Sequence, residues 1–456
     1  MGYSAILFHL YRNLGDYLSF SLPSFLREIC YNSCKNIIRR RSQEVPLDHS
    51  RIVVDAVPDK LPWLVLPHKE RSGSLNFFDL ARNKVHRLDL PGMMLGGACV
   101  GSSKGWLVIA KEVTCLMSDI KWIIRQRKIP LLAPIVSLLT EEPVPDDTEI
   151  FLYNPVSGAS HQLPSLSTIP SYGLFASYCD SRFGDHTVAD FFYRFDLSSA
   201  DPSKATIALL FDQHWHGAPY FDLAFCTVGD KHWSIFLSEK HDILFRDILF
   251  RDGTLYALNF DKLTVEHFNF RMARGEVTIK AIPDWSAWRL DFEPRIEWVH
   301  DLKILRKLLH GTCLVESINS ELLLIVQIYD TYATESDNSF EEIESPYFTY
   351  KKTSAFRIFR MDPDSGRLDE MHDLSDHVIF LAHGGSASVP AKDLACGVQG
   401  NCIFFADNQL YSSQLHLPLV ARESGTYYID SGRIERTIPS FNLQLESRLS
   451  WFTPDS

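Results

Sequence analysis

Several chemical signatures are missing from this chain of 456 residues, and each absence narrows what it can do. Its nine cysteines include no C-x-x-C pair, so zinc-ribbon and thioredoxin-like sites lack their basic unit. They are scattered, odd in number and mostly set in apolar runs, where a reduced thiol behaves as a small hydrophobe. No N-x-[ST] sequon occurs either. These features point to a reducing compartment, cytoplasmic or nuclear. Long hydrophobic runs are also lacking. The best candidate, Ile129–Leu139, is too short to cross a bilayer and contains Pro130 and Pro134, with Arg125, Arg127 and Lys128 beside it. The apolar stretch Ser4–Tyr11 has no basic segment before it, as a secretory signal would. No membrane association is expected. Positive charge is scarce: 45 Lys and Arg stand against 57 Asp and Glu, a formal net charge of -12. A general nucleic-acid binder needs the opposite balance. Finally, H-E-x-x-H, the P-loop and the Rossmann glycine fingerprint are absent, and no cofactor or metal site is expected.

What is present is a change of texture along the chain. Residues 1–48 read as a helical arm: Ile6, Leu7, Leu10, Leu14 and Leu18 fall near one face at helical spacing. A second segment, Pro23–Arg41, ends in Arg39-Arg40-Arg41, where cations complement a helix dipole. This basic arm leaves organelle import as a minor alternative. From about residue 50, short β-rich runs alternate with turn residues, among them Trp63–Leu66, Trp106–Ile109, Ile150–Tyr153, Leu322–Val326 and Ile403–Phe405.

A repeat chooses between all-β architectures. Phe151-Leu-Tyr-Asn154-Pro155-Val-Ser-Gly158, Phe359-Arg-Met-Asp362-Pro363-Asp-Ser-Gly366 and Tyr428-Ile-Asp430-Ser-Gly432 share one pattern, and Phe77–Leu88 is a looser copy. Asn or Asp starts such a turn by bonding its own backbone, Pro sets φ, and Gly takes the positive-φ position. Recurrent hairpins with aromatics mark propeller blades, which cannot bury both faces alone and so stack in a ring. The expected fold is all-β: a Kelch-like β-propeller of about six or seven blades over 49–440, with a C-terminal tail at 441–456. The copy ending near 436 is expected to close the ring with strands near 60. Two stretches, 111–148 and 330–352, read as insertions.

Candidate chemistry is thin. Gly384–Ser388 approaches a nucleophile elbow but lacks the final glycine. His377 and His383 lie too far apart along a strand to share a metal. Gly101 and Gly105 suit a turn before a strand, and Trp106 supplies a buried face. Asp212 with His214, Trp215 and His216 is the most distinctive cluster, and an exposed Trp able to anchor a partner is its functional reading. No enzymatic activity is expected, although a propeller hydrolase acting from the central channel is a weaker alternative.

Gly101-Ser-Ser-Lys-Gly-Trp-Leu107, Leu152–Gly158 with Gln162-Leu-Pro164, Leu314–Ser317, Glu321–Leu324, Phe356–Phe359, Asp376–Leu381 and Gly400–Phe405 occur in an ordered series. This series resembles the plant F-box-associated KIB-type β-propeller family, along about residues 60–435. The resemblance implies a protein-binding propeller that selects substrates for a ubiquitin ligase. It also implies a Skp-type adaptor as partner, docked through an N-terminal F-box. The chain departs from that pattern in the arm: Leu22-Pro23, Phe25-Leu26 and Cys34-Lys35 echo an F-box, but the arm has no Trp. Residues 111–148 also have no counterpart in the pattern. A ligase-independent interaction or decoy protein is therefore the alternative.

Overall fold

The recurring turn is local chemistry. In Asn154–Gly158 the Asn154 Oδ1 accepts hydrogen bonds from the Val156 and Ser157 amides, both at 2.9 Å. Gly158 closes the turn on the Asn154 carbonyl at 2.8 Å, with φ at +72°. Only a residue without Cβ takes that conformation freely. Asp362–Gly366 repeats the device: the Asp364 amide donates to Asp362 Oδ1 at 3.0 Å and the Gly366 amide to the Asp362 carbonyl at 2.8 Å. In the third copy the anchor is the Tyr428 carbonyl, which accepts from the Gly432 amide at 2.9 Å, and Asp430 sits inside the turn.

The computed structural model describes residues 62–66, 73–80, 84–113, 147–173, 191–212, 221–236, 245–259, 264–284, 295–299, 302–333, 348–382, 384–394, 398–406, 424–435 and 449–453. The arm at 1–48 lies outside these residues. Along the described chain the strands form six successive sheets. The first contains β1 (Trp63–Leu66), β2 (Ser74–Asp79) and β3 (Lys84–Asp89). The second contains β4 (Ala98–Ser103), β5 (Trp106–Val113), β6 (Asp147–Tyr153) and β7 (Ser160–Leu163). The third contains β8 (Phe192–Leu197), β9 (Thr206–Asp212), β10 (Phe221–Thr227) and β11 (Ser234–Phe236). The fourth contains β12 (Phe245–Arg251), β13 (Thr254–Asn259), β14 (Glu266–Met272) and β15 (Gly275–Pro283). The fifth contains β16 (Arg295–Val299), β17 (Leu302–Glu316), β18 (Leu322–Ala333), β19 (Phe348–Met361) and β20 (Leu368–Met371). The sixth contains β21 (His377–Ala382), β22 (Gly385–Pro390), β23 (Cys402–Ala406), β24 (Ser424–Tyr428) and β25 (Arg433–Glu435). The last strand, β26 (Ser450–Phe452), returns to the first sheet and pairs antiparallel with β1.

This is a closed six-bladed Kelch-like propeller. Each interface between blades has its own apolar cluster. Val108 and Leu152 of the second blade pack with Phe195 and Leu209 of the third. Leu64 and Trp451 of the first pack with Phe380 and Phe404 of the sixth. The ring closes through β26, within the stretch read as a tail, and not through the copy ending near 436. That copy is the outer hairpin β24–β25 of the sixth blade. The physical reason is burial: Trp451 and Phe452 are buried, and the Trp451 Nε1 donates to the Leu381 carbonyl at 2.9 Å.

Both insertions shrink when the strands are placed. Val113 pairs with Asp147, so β5 and β6 continue into 111–148 and leave 114–146 outside the described residues. Ala333 pairs with Phe348, so only 334–347 remains of the segment at 330–352. Gly101 is not in a turn. It lies within β4, just after a register shift, where an added Cβ would stand 3.2 Å from the Gly384 carbonyl oxygen.

Candidate functional site

Three consecutive inner strands, β4, β8 and β12, each shift register just before one residue at the ring axis. The shifts fall between Cys99 and Gly101, between Phe192 and Arg194, and between Phe245 and Asp247. A bulge re-aims the side chain that follows it. Arg194 Nε and Asp247 Oδ1 meet at 2.7 Å, both buried. The carboxylate also accepts from the Leu314 amide at 2.6 Å and the Ile248 amide at 2.9 Å. Arg194 donates in turn to the Ala382 carbonyl and to Ser386 Oγ, both at 3.0 Å. Ser386 Oγ donates to the Leu314 carbonyl at 3.0 Å. Four blades are thereby joined. Ser102 adds the others, with its hydroxyl donating to the Trp451 carbonyl at 2.6 Å and its amide to the Gly384 carbonyl at 3.0 Å. Burial opposes the charge of Arg194, but the Asp247 carboxylate prevails and holds the guanidinium above its usual pKa. Burial also raises the Asp247 carboxyl, against the pull of Arg194 and the two amides.

A second layer lies where the inner strands end. Lys104, at φ +45° in the β4–β5 turn, donates to the Leu197 carbonyl at 2.6 Å and the Phe250 carbonyl at 3.3 Å. Asp196 Oδ1 accepts from Ser103 Oγ at 2.5 Å, and Oδ2 accepts from the Phe250 amide at 2.5 Å. Arg251 stands 3.9 Å from Glu316 at the end of β17. The ends of β4, β8, β12 and β17 therefore share one face, and these inner strands run in one direction. Burial raises the Glu316 carboxyl above its ordinary value, with Lys104 and Arg251 pulling it back.

These groups hold the ring together. Asp196 uses both oxygens on neighbouring strands. Gly384–Ser388 lies in the β21–β22 hairpin, and Ser386 bonds Arg194 and Leu314, not a base. Among the described residues, no group of three His, Cys, Asp or Glu is placed to hold a metal ion. Burial pushes the thiols of Cys99, Cys313 and Cys402 up to about 12 and raises Cys226 as well, so none supplies a thiolate at neutral pH. Asp376 lies in a turn as expected, but His377 opens β21 and pairs with Pro390; the turn closes where the His377 amide donates to the Leu374 carbonyl at 3.1 Å.

The axial pair was missed in the sequence. Its only signal is charge set among apolar residues, Arg194 and Asp196 in β8 and Arg246, Asp247 and Arg251 in β12, where unpaired charge is seldom buried. Trp106 is placed as expected: it is buried and its Nε1 donates to the Ala200 carbonyl of the next blade at 2.9 Å.

The face opposite Lys104 is where β5 passes to β6, β9 to β10 and β18 to β19. Asp212 is the last residue of β9 and pairs with Phe221. His214, Trp215 and His216 follow it and lie outside the described residues, as does His383.

Known proteins resemble the chain. It is 28% identical over 239 residues to F-box protein SKIP23 of Arabidopsis thaliana, which covers 51% of this chain and 50% of that one. It is 31% identical over 97 residues to an F-box/kelch-repeat protein of the same plant, covering 21% and 23%. The chain thus spans half or less of the length of these curated relatives. Residues 77–428, from the first blade to the end of β24, match the family described as KIB1-4 beta-propeller. Its closed ring, its turn repeat and this match together place the chain in the KIB1-4 β-propeller family.

Proposed function

We propose that the chain is a protein-recognition propeller that selects a substrate for an F-box-type ubiquitin ligase. The observation that carries this reading is the family match across the ring, together with relatives named as F-box proteins. The interior agrees with it: the polar groups at the axis are engaged in joining blades, which leaves the faces and edges for binding. The partner would meet the face opposite Lys104, where the β9–β10 connection carries His214, Trp215 and His216 beyond Asp212. A Skp-type adaptor would dock on the arm at 1–48. The chain would work in the cytoplasm or nucleus.

Co-precipitation of the full chain with a Skp-type adaptor tests the ligase role. A stable complex is expected. Absence of a complex with the arm intact rejects that role and leaves a binding module alone. This second reading, a ligase-independent interaction protein, is favoured by the arm's lack of Trp. Trp215→Ala is expected to weaken capture of the partner by about tenfold or more while leaving the melting temperature unchanged.

A further inference from the structure

We propose that the outer strand of the fourth blade, β14, pairs antiparallel with the same strand of a second copy of this chain, across a twofold axis at Asn269. The inference goes beyond the recognition reading and does not depend on it.

The outermost strands of the blades are not alike. β7, β11, β20 and β25 have 4, 3, 4 and 3 residues, and β3 has 6. β14, Glu266–Met272, has 7 and is the longest of them. It is outermost because β15 lies between it and β13. All seven of its residues pair with β15. Among the described residues, no strand and no hydrogen bond reaches these seven from any element but β15. Short strands blunt an edge against pairing, whereas a long open edge is a template for it.

The side chains of β14 sort by face. Phe268 and Phe270 are half-buried against Phe236 of the third blade, with ring centroids at 5.5 and 5.6 Å. His267, Asn269 and Arg271 are exposed on the other face. This order is symmetric about Asn269. In an antiparallel pair centred there, Phe268 lies opposite Phe270 of the copy, twice, and extends the aromatic row. Asn269 lies opposite its own copy. Its Oδ1 accepts from Thr278 Oγ1 at 3.3 Å, which leaves both hydrogens of Nδ2 for the copy's amide oxygen. His267 lies opposite Arg271, where the imidazole can accept from the guanidinium. Lys280 and Glu276, their neighbours on β15, flank them in monomer and dimer alike. At the strand ends Glu266 lies opposite Met272. Moving the centre to Phe268 or Phe270 would leave two residues of each strand unpaired, so the Asn269 register is the one that uses the whole edge. Such a self-matching order favours a second copy over a foreign strand. A seven-residue edge is a small interface, so the dimer is expected to be weak and concentration-dependent.

Sedimentation velocity of the intact chain across a dilution series is expected to show a monomer–dimer equilibrium. His267→Glu sets a carboxylate opposite Arg271 of the copy, twice per dimer, and should tighten it about fivefold, while His267→Arg should weaken it by about as much. The register is read by Asn269→Cys. Its two thiols would stand within disulfide reach across the axis and should give a covalent dimer with diamide, which takes up the two thiol hydrogens. Arg271→Cys would lie about 13 Å from its own copy and should give no more covalent dimer than the parent. A chain that stays monomeric throughout assigns the edge to another occupant or to none, and overturns the proposal. A dimer indifferent to both His267 changes overturns it, as does a dimer in which Asn269→Cys forms no disulfide or Arg271→Cys forms one more readily. All these positions are exposed, and the melting temperature of each variant checks that the fold is retained.

Discussion

Charge is handled in opposite ways at the ring axis and at the outer hairpin of the fifth blade. At the axis, Arg194 and Asp247 are buried, and groups from several blades complete their hydrogen bonds. At the outer hairpin, Arg357 and Glu370 meet at 2.7 Å and Arg367 and Asp369 at 2.9 Å, with their side chains reached by solvent. A buried charge must be compensated inside the molecule, or its desolvation cost remains unmet. A solvent-exposed charge keeps its water and carries no such requirement. The contrast separates charges that build the ring from charges that only border it.

The largest expected effect lies with ring closure. Deleting residues 449–456 removes β26, including the buried Trp451 and Phe452. Each such side chain stabilises the fold by about 1.5–3 kcal/mol, and the first blade also loses its inner strand. Loss of a cooperative melting transition is expected, while deletion of 454–456 alone should leave melting unchanged.

Next comes the axial pair. Asp247→Ala should cost about 3–5 kcal/mol in urea unfolding, because Arg194 is left buried without its carboxylate. A double change to Arg194→Met and Asp247→Leu should cost less than the single one. Arg367→Ala, in an exposed pair with Asp369, should leave the urea unfolding midpoint nearly unchanged. Equal losses at the two regions would erase the contrast.

The turns sharpen the ranking further. Gly158→Ala places a Cβ at φ +72° in open space and should cost about 1–2 kcal/mol. Gly366→Ala should cost more, since its Cβ would meet Val265 at 3.2 Å and Pro283 at 3.3 Å.

The smallest effect is alkaline. The Cys99 and Cys313 thiols are pushed by burial from 9.0 to about 12. Their contribution to stability is complete below pH 9 and is lost as pH rises toward 12, because the unfolded thiols ionise first. The urea midpoint should fall more steeply above pH 9 in the parent than in a Cys99→Ala, Cys313→Ala variant.

Much of the ring was legible because its outer hairpins are local. Asn154 and Asp362 bond their own turn backbones, so five residues suffice to show the unit. The fourth blade hid from the same pattern because β15 lies between β13 and β14, and β13 pairs with it in parallel. Ring closure was hidden because β26 has 3 residues, too few to show an alternation. Arg194 and Asp247 are 53 positions apart, and only the stacking of two blades brings them together. The Asp212–His216 cluster stood out by composition, yet the described strands fix only its first residue.

Amide hydrogen exchange of the intact chain measures both regions at once. Slow exchange is expected along β4, β8, β12 and β22, with faster exchange along the outer strands β7, β20 and β25. Exchange along the inner strands as fast as along the outer ones would contradict a sealed axis.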